Sequence, residues 1–301
     1  MSLHRFLVLL TVALILVLSV VVWFFPSDDD FRADNPFWNG VKDTAADYTI
    51  LPLESFSELP TVSDGSALIL IPYIELTSSE LDQLYSFISQ GGVLILADDY
   101  GFGNQILEHL GLEVRFAGQS VLDPLFNYKN ERLPRVFHLS GAPITSNAES
   151  LVLNHATCLT GIPIDEALAL TSSFSFLDVN DNQKWDEGEP NGPLPIIYQQ
   201  DFAAGQIIAI SDPSIFINSM GAIGDNIGFI QNIADITTGN LLIDQSHLTP
   251  SNLHQTKNLL AQIHGFLITP AGTLALVGLL LITTLLPIWR RKGEENENGT
   301  G

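Results

Sequence analysis

The chain has 301 residues, 46% of them hydrophobic, which is enough for one large domain or two modest ones and excludes a disordered protein. Thirty-four acidic residues against twelve basic ones give a net charge of -22, which repels phosphate and argues against nucleic-acid binding. The single cysteine excludes an internal disulfide framework and a cysteine-rich metal site. The negative net charge favours cations and amine-bearing or neutral ligands as partners.

The first element is an apolar run without charged residues, FLVLLTVALILVLSVVVWFF, at residues 6–25. As a helix it rises about 30 Å, the thickness of the hydrocarbon core of a bilayer. A signal peptide is the alternative, but the run is longer than the usual apolar core of one. It also ends in bulky Trp23, Phe24 and Phe25 rather than in a small-residue cleavage site. We therefore predict an uncleaved transmembrane helix, preceded by a cytoplasmic N-terminus at residues 1–5.

Three short runs have the unbroken apolar character of buried parallel strands: ALILIP from Ala67, VLILAD from Val93 and QIIAIS from Gln206. Between the first two, Thr77 and Glu80 have the spacing of a helix capping box. The apolar stripe that follows comprises Leu81, Leu84, Tyr85 and Ile88. Further helices are expected after the other two strands, capped by Asn104 and Asp225. The repeated order of strand and helix predicts an α/β fold with a parallel sheet.

The segment from about residue 116 to residue 200 is irregular and punctuated by Pro and Gly, which predicts an insertion of short strands and loops. Within it, residues 178–189 follow the oxygen-ligand spacing of a twelve-residue calcium loop. The predicted ligands, at positions 1, 3, 5, 7, 9 and 12, are Asp178, Asn180, Asn182, the carbonyl of Lys184, Asp186 and Glu189. Gln183 occupies position 6, where glycine usually makes the sharp turn, so the turn would be strained and the site weakened. A plain polar turn is the alternative; we predict a structural calcium ion that orders the insertion.

Ligands of open α/β sheets bind beyond the carboxyl ends of the strands. In this sequence those ends carry Tyr73, Asp98, Asp99, Tyr100, Asp212 and Ser214. The carboxylates could perform acid–base chemistry or bind a cation. The simpler alternative is that Asp212 and Ser214 cap a helix and Asp98 holds loop amides. We assign none of the six as catalytic and regard them as candidates for contact with a ligand or partner. His155 and Cys158 admit a nucleophile pair, but we favour a buried thiol.

A second apolar run, LITPAGTLALVGLLLITTLLPIW at residues 267–289, predicts a second transmembrane helix, with a kink at Pro270. The basic residues Arg290, Arg291 and Lys292 follow it at once, and Arg5 precedes the first run. Both termini are therefore predicted to be cytoplasmic, with a C-terminal tail at residues 290–301. Residues 26–266, which contain thirty-one of the thirty-four acidic residues, then form an extracytoplasmic domain at the cell membrane.

Three stretches together resemble the domain-of-unknown-function 4350 family: GGVLILADDYGFGNQILEHLGLEV, LDVNDNQKWDEGEPNGPLPI and GQIIAISDPSIFINSMGAIGDN. The resemblance covers residues 35–235. It implies a fold similar to class I glutamine amidotransferases, a flavodoxin-like parallel sheet, here between two transmembrane helices. Those enzymes carry a catalytic cysteine at the elbow where this sequence has Asp98, Asp99 and Tyr100, so the resemblance does not carry over the thiol chemistry. It also implies kinship with auxiliary extracytoplasmic domains of transport systems and a role in envelope assembly.

The main hypothesis is a membrane-anchored, extracytoplasmic, non-catalytic domain that binds a ligand or a protein partner in the envelope and is braced by calcium. The principal alternative is an envelope hydrolase that uses Asp98, Asp99 or Asp212. A third possibility is an inert spacer.

Overall fold

The computed structural model describes residues 3–60, 65–146 and 148–298, with the side chains of the last helix up to residue 285. The predicted cytoplasmic N-terminus and tail are therefore covered in part, because residues 1–2 and 299–301 lie outside the described residues. The chain divides into two compact units. One is Pro26–Thr249, and the other combines the terminal segments Met1–Phe25 and Pro250–Gly301.

Helices and strands alternate along much of the chain. The α-helices are α1 (Leu3–Phe24), α2 (Lys42–Asp47), α3 (Ser78–Ser89), α4 (Asn104–His109), α5 (Asn218–Gly221), α6 (Asn226–Ile236), α7 (Asn252–Leu267) and α8 (Pro270–Asn298). The strands are β1 (Leu51–Leu53), β2 (Ala67–Leu70), β3 (Val93–Ala97), β4 (Arg115–Phe116), β5 (Ser120–Leu122), β6 (Arg135–Val136), β7 (His138–Leu139), β8 (Leu151–Val152), β9 (Leu159–Thr160), β10 (Ala169–Leu170), β11 (Phe176–Asp178), β12 (Pro195–Phe202), β13 (Gly205–Ile210) and β14 (Leu241–Asp244).

The architecture is mixed α/β around one large sheet. Its eight strands run in the order β1-β14-β2-β3-β13-β12-β10-β7. The first five are parallel to their neighbours, and the last three continue the sheet by antiparallel pairing. The three strands predicted from unbroken apolar runs lie side by side as β2, β3 and β13, so a large and mostly parallel central sheet is confirmed.

The parallel strands β14, β2, β3 and β13 are buried on both faces, which explains why they are apolar runs rather than alternating ones, whereas the edge strand β1 is partly exposed. On one face Ile95 and Ile208 pack in the same core as the buried residues of α6. On the other face Leu94 and Ile207 pack with the buried residues of α3 and α4. The sheet therefore lies between two helical layers.

Helix α3 begins as the sequence predicts. The Oγ1 of Thr77 accepts the N–H of Glu80 at 3.4 Å, and Glu80 Oε2 accepts the N–H of Thr77 at 2.8 Å, which completes the capping box. The stripe is buried at Leu81, Leu84 and Ile88. The inward prediction for Tyr85 is wrong: it is 47% exposed, and its ring packs edge-on against Phe202 with centroids 5.5 Å apart.

Two other predicted caps act differently. Asn104 is the first residue of α4, and its side-chain amide exchanges hydrogen bonds with the backbone of Phe116 at 2.9 and 2.8 Å. Asp225 directly precedes α6, but its carboxylate accepts the N–H groups of Glu149 and Ser150 at 3.0 and 2.9 Å. Both side chains tie a helix start to a distant segment, which local spacing does not reveal.

The predicted insertion at residues 116–200 is less separate from the sheet than expected. Three short ladders, β4 with β9, β5 with β11 and β6 with β8, do lie outside the main sheet. However, β7, β10 and β12 extend the main sheet, and β12 continues two residues past the predicted end of the insertion. The reason is that Ile196 and Ile197 of β12 are fully buried, so this strand pairs with β13 to cover them.

In the terminal unit, α1 is long and apolar enough to cross a membrane. Among the described residues, α7 and α8 meet the same criterion only as a bent pair, with 87° between Asn252–Leu267 and Pro270–Leu285. Residues 270–289 of the second predicted span lie in the single helix α8, whereas Leu267 belongs to α7. The two helices are separated at Ile268 and Thr269, beside the proline that predicts a kink. A second span is therefore not confirmed.

The capping box of α3 can be tested by Thr77→Ala. Removing the hydroxyl that accepts the N–H of Glu80 is expected to lower the free energy of unfolding by about 1 kcal/mol, as measured by urea titration. Ser79→Ala, at an exposed position inside the same helix, is the control and should be neutral or slightly stabilising. Equal losses in the two variants would contradict the capping role.

Candidate functional site

Four neighbouring parallel strands place their carboxyl ends at one edge of the sheet, in the order β14, β2, β3 and β13. After β3 the chain passes to α4, which packs on the same face as α3. After β13 it passes to α6, which packs on the opposite face. Where successive connections leave in opposite directions, an open α/β sheet has a crevice, and this is where ligands bind. This topology predicts a ligand site beyond the ends of β3 and β13.

Asp98, the residue after β3, holds the loop that follows it. It is 2% exposed, and its Oδ1 accepts the N–H groups of Tyr100 and Gly101 at 2.8 and 3.0 Å. Its Oδ2 accepts the N–H of Gly103 at 2.6 Å. Burial raises the pKa of Asp98, and these backbone hydrogen bonds oppose the rise. The carboxylate is therefore engaged by the protein, as the simpler alternative predicts.

Asp212 and Ser214 form a second structural unit at the end of β13. The Oδ1 of Asp212 accepts the N–H of Ser214 at 2.8 Å, and its Oδ2 accepts the N–H of Asn154 at 2.7 Å. Asp212 is fully buried, and burial raises its pKa to about 8. It caps the short turn Pro213–Phe216 and ties it to the insertion. Neither residue presents a free group to a ligand in this arrangement.

Asp99 differs from both neighbouring aspartates. Its Oδ1 is buried and has no hydrogen-bond partner among the residues that the structure describes. Burial, followed by the charge of Asp98, raises the pKa of Asp99 to about 7. The rings of Tyr73 and Tyr100 lie 5.9 Å apart beside it. Burial, followed by the charge of Asp99, raises the pKa of Tyr73, and the charge of Asp99, followed by burial, raises the pKa of Tyr100. Asp99 is thus a half-buried acceptor that the fold leaves unsatisfied.

A cavity of about 400 Å³ joins Asp99 to the calcium-type loop. We call this cavity the crevice. Its walls are Asp99, Tyr100, Gly118, Gln119, Ser120, Arg132, His155, Asp178, Val179 and Asp181. Two regions that the sequence treats as separate sites, the end of β3 and the start of the 178–189 loop, therefore line one space.

Arg132 and His155 form a wall of the crevice that sequence analysis did not identify as a site. Arg132 Nη1 lies 3.4 Å from His155 Nδ1, and its Nη2 lies 3.9 Å from Asp181 Oδ1. Burial, followed by the charge of Arg132, lowers the pKa of His155, which keeps the imidazole neutral near pH 7. The crevice thus has an acidic side at Asp99 and a basic group at Arg132.

Cys158 is separate from this site. It is 2% exposed and packs among Val121, Leu177 and Leu194. Burial raises the pKa of its thiol to about 12, so the thiolate is not populated near neutral pH. The geometry agrees with a buried structural thiol and gives no support to a pair with His155.

The 178–189 loop closes through bonds from its carboxylates to its own backbone. Asp178 is 2% exposed, and its two oxygens accept the N–H groups of Asn182 and Gln183 at 3.0 and 2.9 Å. Glu189, 9% exposed, accepts two further N–H groups of the loop at 2.9 and 3.0 Å. Gln183 has a φ of +62°, the left-handed conformation that glycine adopts without strain.

Two other predicted calcium ligands, Asn180 and Asn182, contact Asp186 through their amide nitrogens and not through their oxygens. The Nδ2 atoms of Asn180 and Asn182 donate to Asp186 Oδ2 at 2.7 and 2.6 Å, and these bonds lower the pKa of Asp186. The described residues contain no group of three or more His, Cys, Asp and Glu side chains placed to hold a metal ion. A half-turn of each amide would exchange its nitrogen for an oxygen, and each carboxylate oxygen has a second lone pair.

A buried histidine between two carboxylates lies at the end of β14, and sequence analysis missed it. Asp244 Oδ2 is 3.0 Å from His247 Nδ1, and Glu80 Oε2 is 3.6 Å from His247 Nε2. Burial lowers the pKa of His247, but hydrogen bonding and charge from Asp244, followed by Glu80, outweigh it, so the pKa is raised. The sequence signal was slight, a histidine three residues after a strand-end aspartate, and Glu80 is distant in the chain.

Comparison with known proteins gives a family and distant structural similarities. A family model described as "Domain of unknown function (DUF4350)" matches residues 38–234. No curated protein matches the chain. Among solved structures, the mmIFT52 N-terminal domain is similar with a TM-score of 0.44 and 15% identity, covering 62% of this chain and 81% of that one.

Two enzymes are similar at a lower level. A β-galactosidase from Bacillus circulans sp. alkalophilus has a TM-score of 0.35 and 11% identity, with 57% of this chain and 22% of that chain covered. A GH42 β-galactosidase from G. stearothermophilus has a TM-score of 0.33 and 12% identity, with 56% and 21% covered. The chain thus spans about a fifth of each enzyme, and none of these structural similarities bears on function.

His247 predicts a specific dependence of stability on pH. Because its folded-state pKa is raised above 6.5, its stabilising effect is full below pH 6.5 and is lost as the pH rises through the folded-state pKa. We expect His247→Gln to lower the free energy of unfolding more at pH 5.5 than at pH 8.5, measured by urea titration.

His138→Gln, which removes an exposed imidazole, is the control and should stay within about 0.5 kcal/mol of the parent protein. If His247→Gln gave the same loss at both pH values, the carboxylates would not be holding a protonated ring.

Proposed function

Because the chain belongs to the DUF4350 family, described as a domain of unknown function, we propose its role from the crevice: a non-catalytic domain, held at a membrane, that binds a small ligand. The observation that carries this proposal is the buried, unpartnered Oδ1 of Asp99. An unpaired buried acceptor costs about 1–3 kcal/mol, and a ligand that donates a hydrogen bond there recovers this free energy.

The walls of the crevice favour a neutral or amine-bearing ligand. Asp99, Asp178 and Asp181 contribute three carboxylates, against the single guanidinium of Arg132. His155 is neutral near pH 7 because its pKa is lowered. A hydroxyl or an amine can donate to Asp99, whereas an anionic group would meet Asp178 and Asp181, and also the charge of Asp99 above pH 7.

For the membrane arrangement, we propose that α1 anchors the chain and that the bent pair of α7 and α8 supplies a second span. Both termini are then cytoplasmic, and the unit Pro26–Thr249 is extracytoplasmic. The acidic charge of residues 26–266 supports this orientation, since the basic residues flank the apolar runs on the other side. A partner in a transport or envelope-assembly system, and a relation to class I glutamine amidotransferases without their cysteine, belong to the same proposal.

A hydrolase is the second candidate, and one observation favours it. The pKa of Asp99 is raised to about 7, which suits a general acid or base, and His155 lies in the same crevice. Against it, Asp98 and Asp212 are engaged by backbone N–H groups, and the thiol of Cys158 has a pKa of about 12. Binding is therefore the function that the geometry supports better.

We also propose that the 178–189 loop binds calcium as a structural ion. Asp178, Asn180, Asn182, Asp186 and Glu189 would supply side-chain oxygens and Lys184 a carbonyl oxygen. Rotation of the two amides would break their bonds to Asp186 and the bonds that their Oδ1 atoms accept from the N–H groups of Asn182 and Lys184, so the ion would have to replace four hydrogen bonds. The strained Gln183 weakens the site, so millimolar calcium of the kind present outside cells is the relevant concentration.

Asp99→Asn tests the binding site. The folded-state pKa of Asp99 is raised from 3.8 to about 7, so the wild-type protein loses stability as the pH rises between these values. Asp99→Asn should therefore gain stability relative to wild type from pH 4 to pH 7 and show no further gain above. Asp165→Asn, at an exposed carboxylate, is the control and should show no such trend.

The ligand screen uses the same variants in full-length protein. Thermal unfolding is followed with polyols, amino sugars, polyamines and amino acids at millimolar concentration, and hydrolysis of glycoside, ester and peptide substrates is measured alongside. A compound that raises Tm in wild type and Asp165→Asn, but not in Asp99→Asn, supports binding. Turnover that is lost in Asp99→Asn would favour the hydrolase, and no response from any compound would contradict both.

Calcium binding is measured as the rise in Tm of full-length protein on adding 10 mM calcium, with magnesium as the ion control. A site with a Kd of about 1 mM would stabilise the folded state by about 1.4 kcal/mol. Asp186→Asn should lose most of this gain, whereas Glu187→Gln, an exposed acid outside the ligand pattern, should retain it. Equal gains in both variants, or no gain in wild type, would show that the loop is a polar turn without a calcium site.

A further inference from the structure

A cluster of exposed aromatic rings lies on the insertion, away from the residues that line the crevice. Phe126, Phe137 and Phe174 are 42%, 49% and 55% exposed. The ring of Phe126 is stacked on Phe174 at 5.9 Å and meets Phe137 edge-on at 6.4 Å. The three rings border a cavity of about 410 Å³, which we call the aromatic groove. Contiguous exposed apolar surface of this kind marks an interaction site more often than isolated exposed residues do.

Arg135 lines the aromatic groove with an unused donor. Its guanidinium carbon lies 5.1 Å from the centroid of Phe137, and its Nη2 donates to Ser150 Oγ at 3.2 Å. Its Nε is buried and unpaired within residues 3–60, 65–146 and 148–298. A guanidinium binds a carboxylate through parallel N–H groups, so a carboxylate is the group that would satisfy this donor best.

A second positive charge lies on the other side of Phe174. A neighbouring cavity of about 610 Å³ shares Ser173 and Phe174 with the aromatic groove and is also lined by Lys184 and Trp185. Arg135 and Lys184 are two of only eight basic residues between positions 26 and 266 in the sequence, against thirty-one acidic ones. A pair of cations flanking an exposed phenyl ring on so acidic a domain is complementary to an acidic, partly apolar ligand.

The neighbouring backbone indicates that this ligand is a peptide. Strand β7 follows Phe137 directly, and its first residue, His138, also lines the aromatic groove. β7 is the last strand in the order of the main sheet, with β10 on one side and no strand on the other among the described residues. An open strand edge offers main-chain N–H and C=O groups that an extended peptide can pair with, while its side chains enter adjacent pockets.

We propose that the aromatic groove binds an extended acidic segment of a partner protein. A carboxylate of the segment pairs with Arg135, an adjacent apolar side chain packs on Phe126 and Phe174, and a second acidic residue reaches Lys184. This docking surface is separate from the ligand site at Asp99 and does not depend on it.

The probe is a random seven-residue peptide library displayed on phage and selected against the full-length protein in detergent micelles. We expect the selected peptides to carry an Asp or Glu next to an aromatic or aliphatic residue. Binding of a synthetic selected peptide is then measured by fluorescence anisotropy. Arg135→Gln and Phe174→Ser are each expected to weaken it at least tenfold, and Arg135→Lys to weaken it less than Arg135→Gln.

Two variants serve as controls. Lys42→Gln removes an exposed positive charge elsewhere on the same unit, and Asp99→Asn alters the crevice; both should leave peptide binding within about twofold. Because Phe174 is exposed, Phe174→Ser is expected to fold even if Arg135→Gln does not, so the test does not rest on one variant.

Three results would overturn the proposal: selection without enrichment, enrichment of peptides that lack a carboxylate, or binding that Arg135→Gln and Phe174→Ser leave unchanged. Self-association of the protein that is lost in Phe174→Ser, with no peptide binding, would assign the aromatic groove to a second copy of the chain instead. Loss of small-ligand binding in Asp99→Asn with peptide binding intact would support two independent sites.

Discussion

Buried carboxylates that accept backbone N–H groups hold the loops at the carboxyl-end edge of the sheet. Asp98 after β3, Asp212 after β13 and Asp244 at the end of β14 are each 2% exposed or less. Each accepts at least two N–H groups from the residues that follow or from a neighbouring loop. Such charge-assisted bonds satisfy donors that the turning backbone would otherwise leave unpaired. Two of these anchors bear on the crevice: Asp98 holds the turn that contains Tyr100, and Asp212 holds Asn154 beside His155.

Asp99 acquires its properties from the residue before it. The chain turns immediately after β3, and only Asp98 accepts N–H groups of the turn. Asp98 takes the N–H groups of the turn, whereas Asp99 is left with a buried oxygen and a charged neighbour. Both circumstances disfavour ionisation, which is why its pKa is raised to about 7. Because Asp98 already accepts the N–H groups of the turn, Oδ1 of Asp99 is left without a donor.

The elements that sequence reasoning predicted are those specified by local patterns. Unbroken apolar runs identified β2, β3 and β13, and the spacing of Thr77 and Glu80 identified the start of α3. The antiparallel half of the sheet was missed because β12 changes from buried isoleucines to polar residues along its length, which resembles a loop-flanking segment. Pro270 predicted the position of the bend between α7 and α8, but local sequence rules do not predict its angle of 87°.

The candidate site remains a prediction, and the structure brings only part of it together. Of the six strand-end candidates, Asp99 and Tyr100 line the crevice, and only the folded backbone reveals which carboxylates already have partners. Arg132 and Asp181 are far apart in sequence and meet only through the insertion, and the same is true of Glu80 and His247. Contacts of this range leave no periodicity or spacing to read, so these charged groups could not be assigned in advance.

The 178–189 loop lines both the crevice and the cavity beside Phe174. Its first residues, Asp178, Val179 and Asp181, form part of the crevice. Its middle residues Lys184 and Trp185 line the cavity beside Phe174. The two sites can be independent only if this loop keeps one conformation whichever side is occupied. Any change in its conformation would couple them, and such coupling would be reciprocal: whatever free energy an occupant of one side adds to binding on the other, it receives in return.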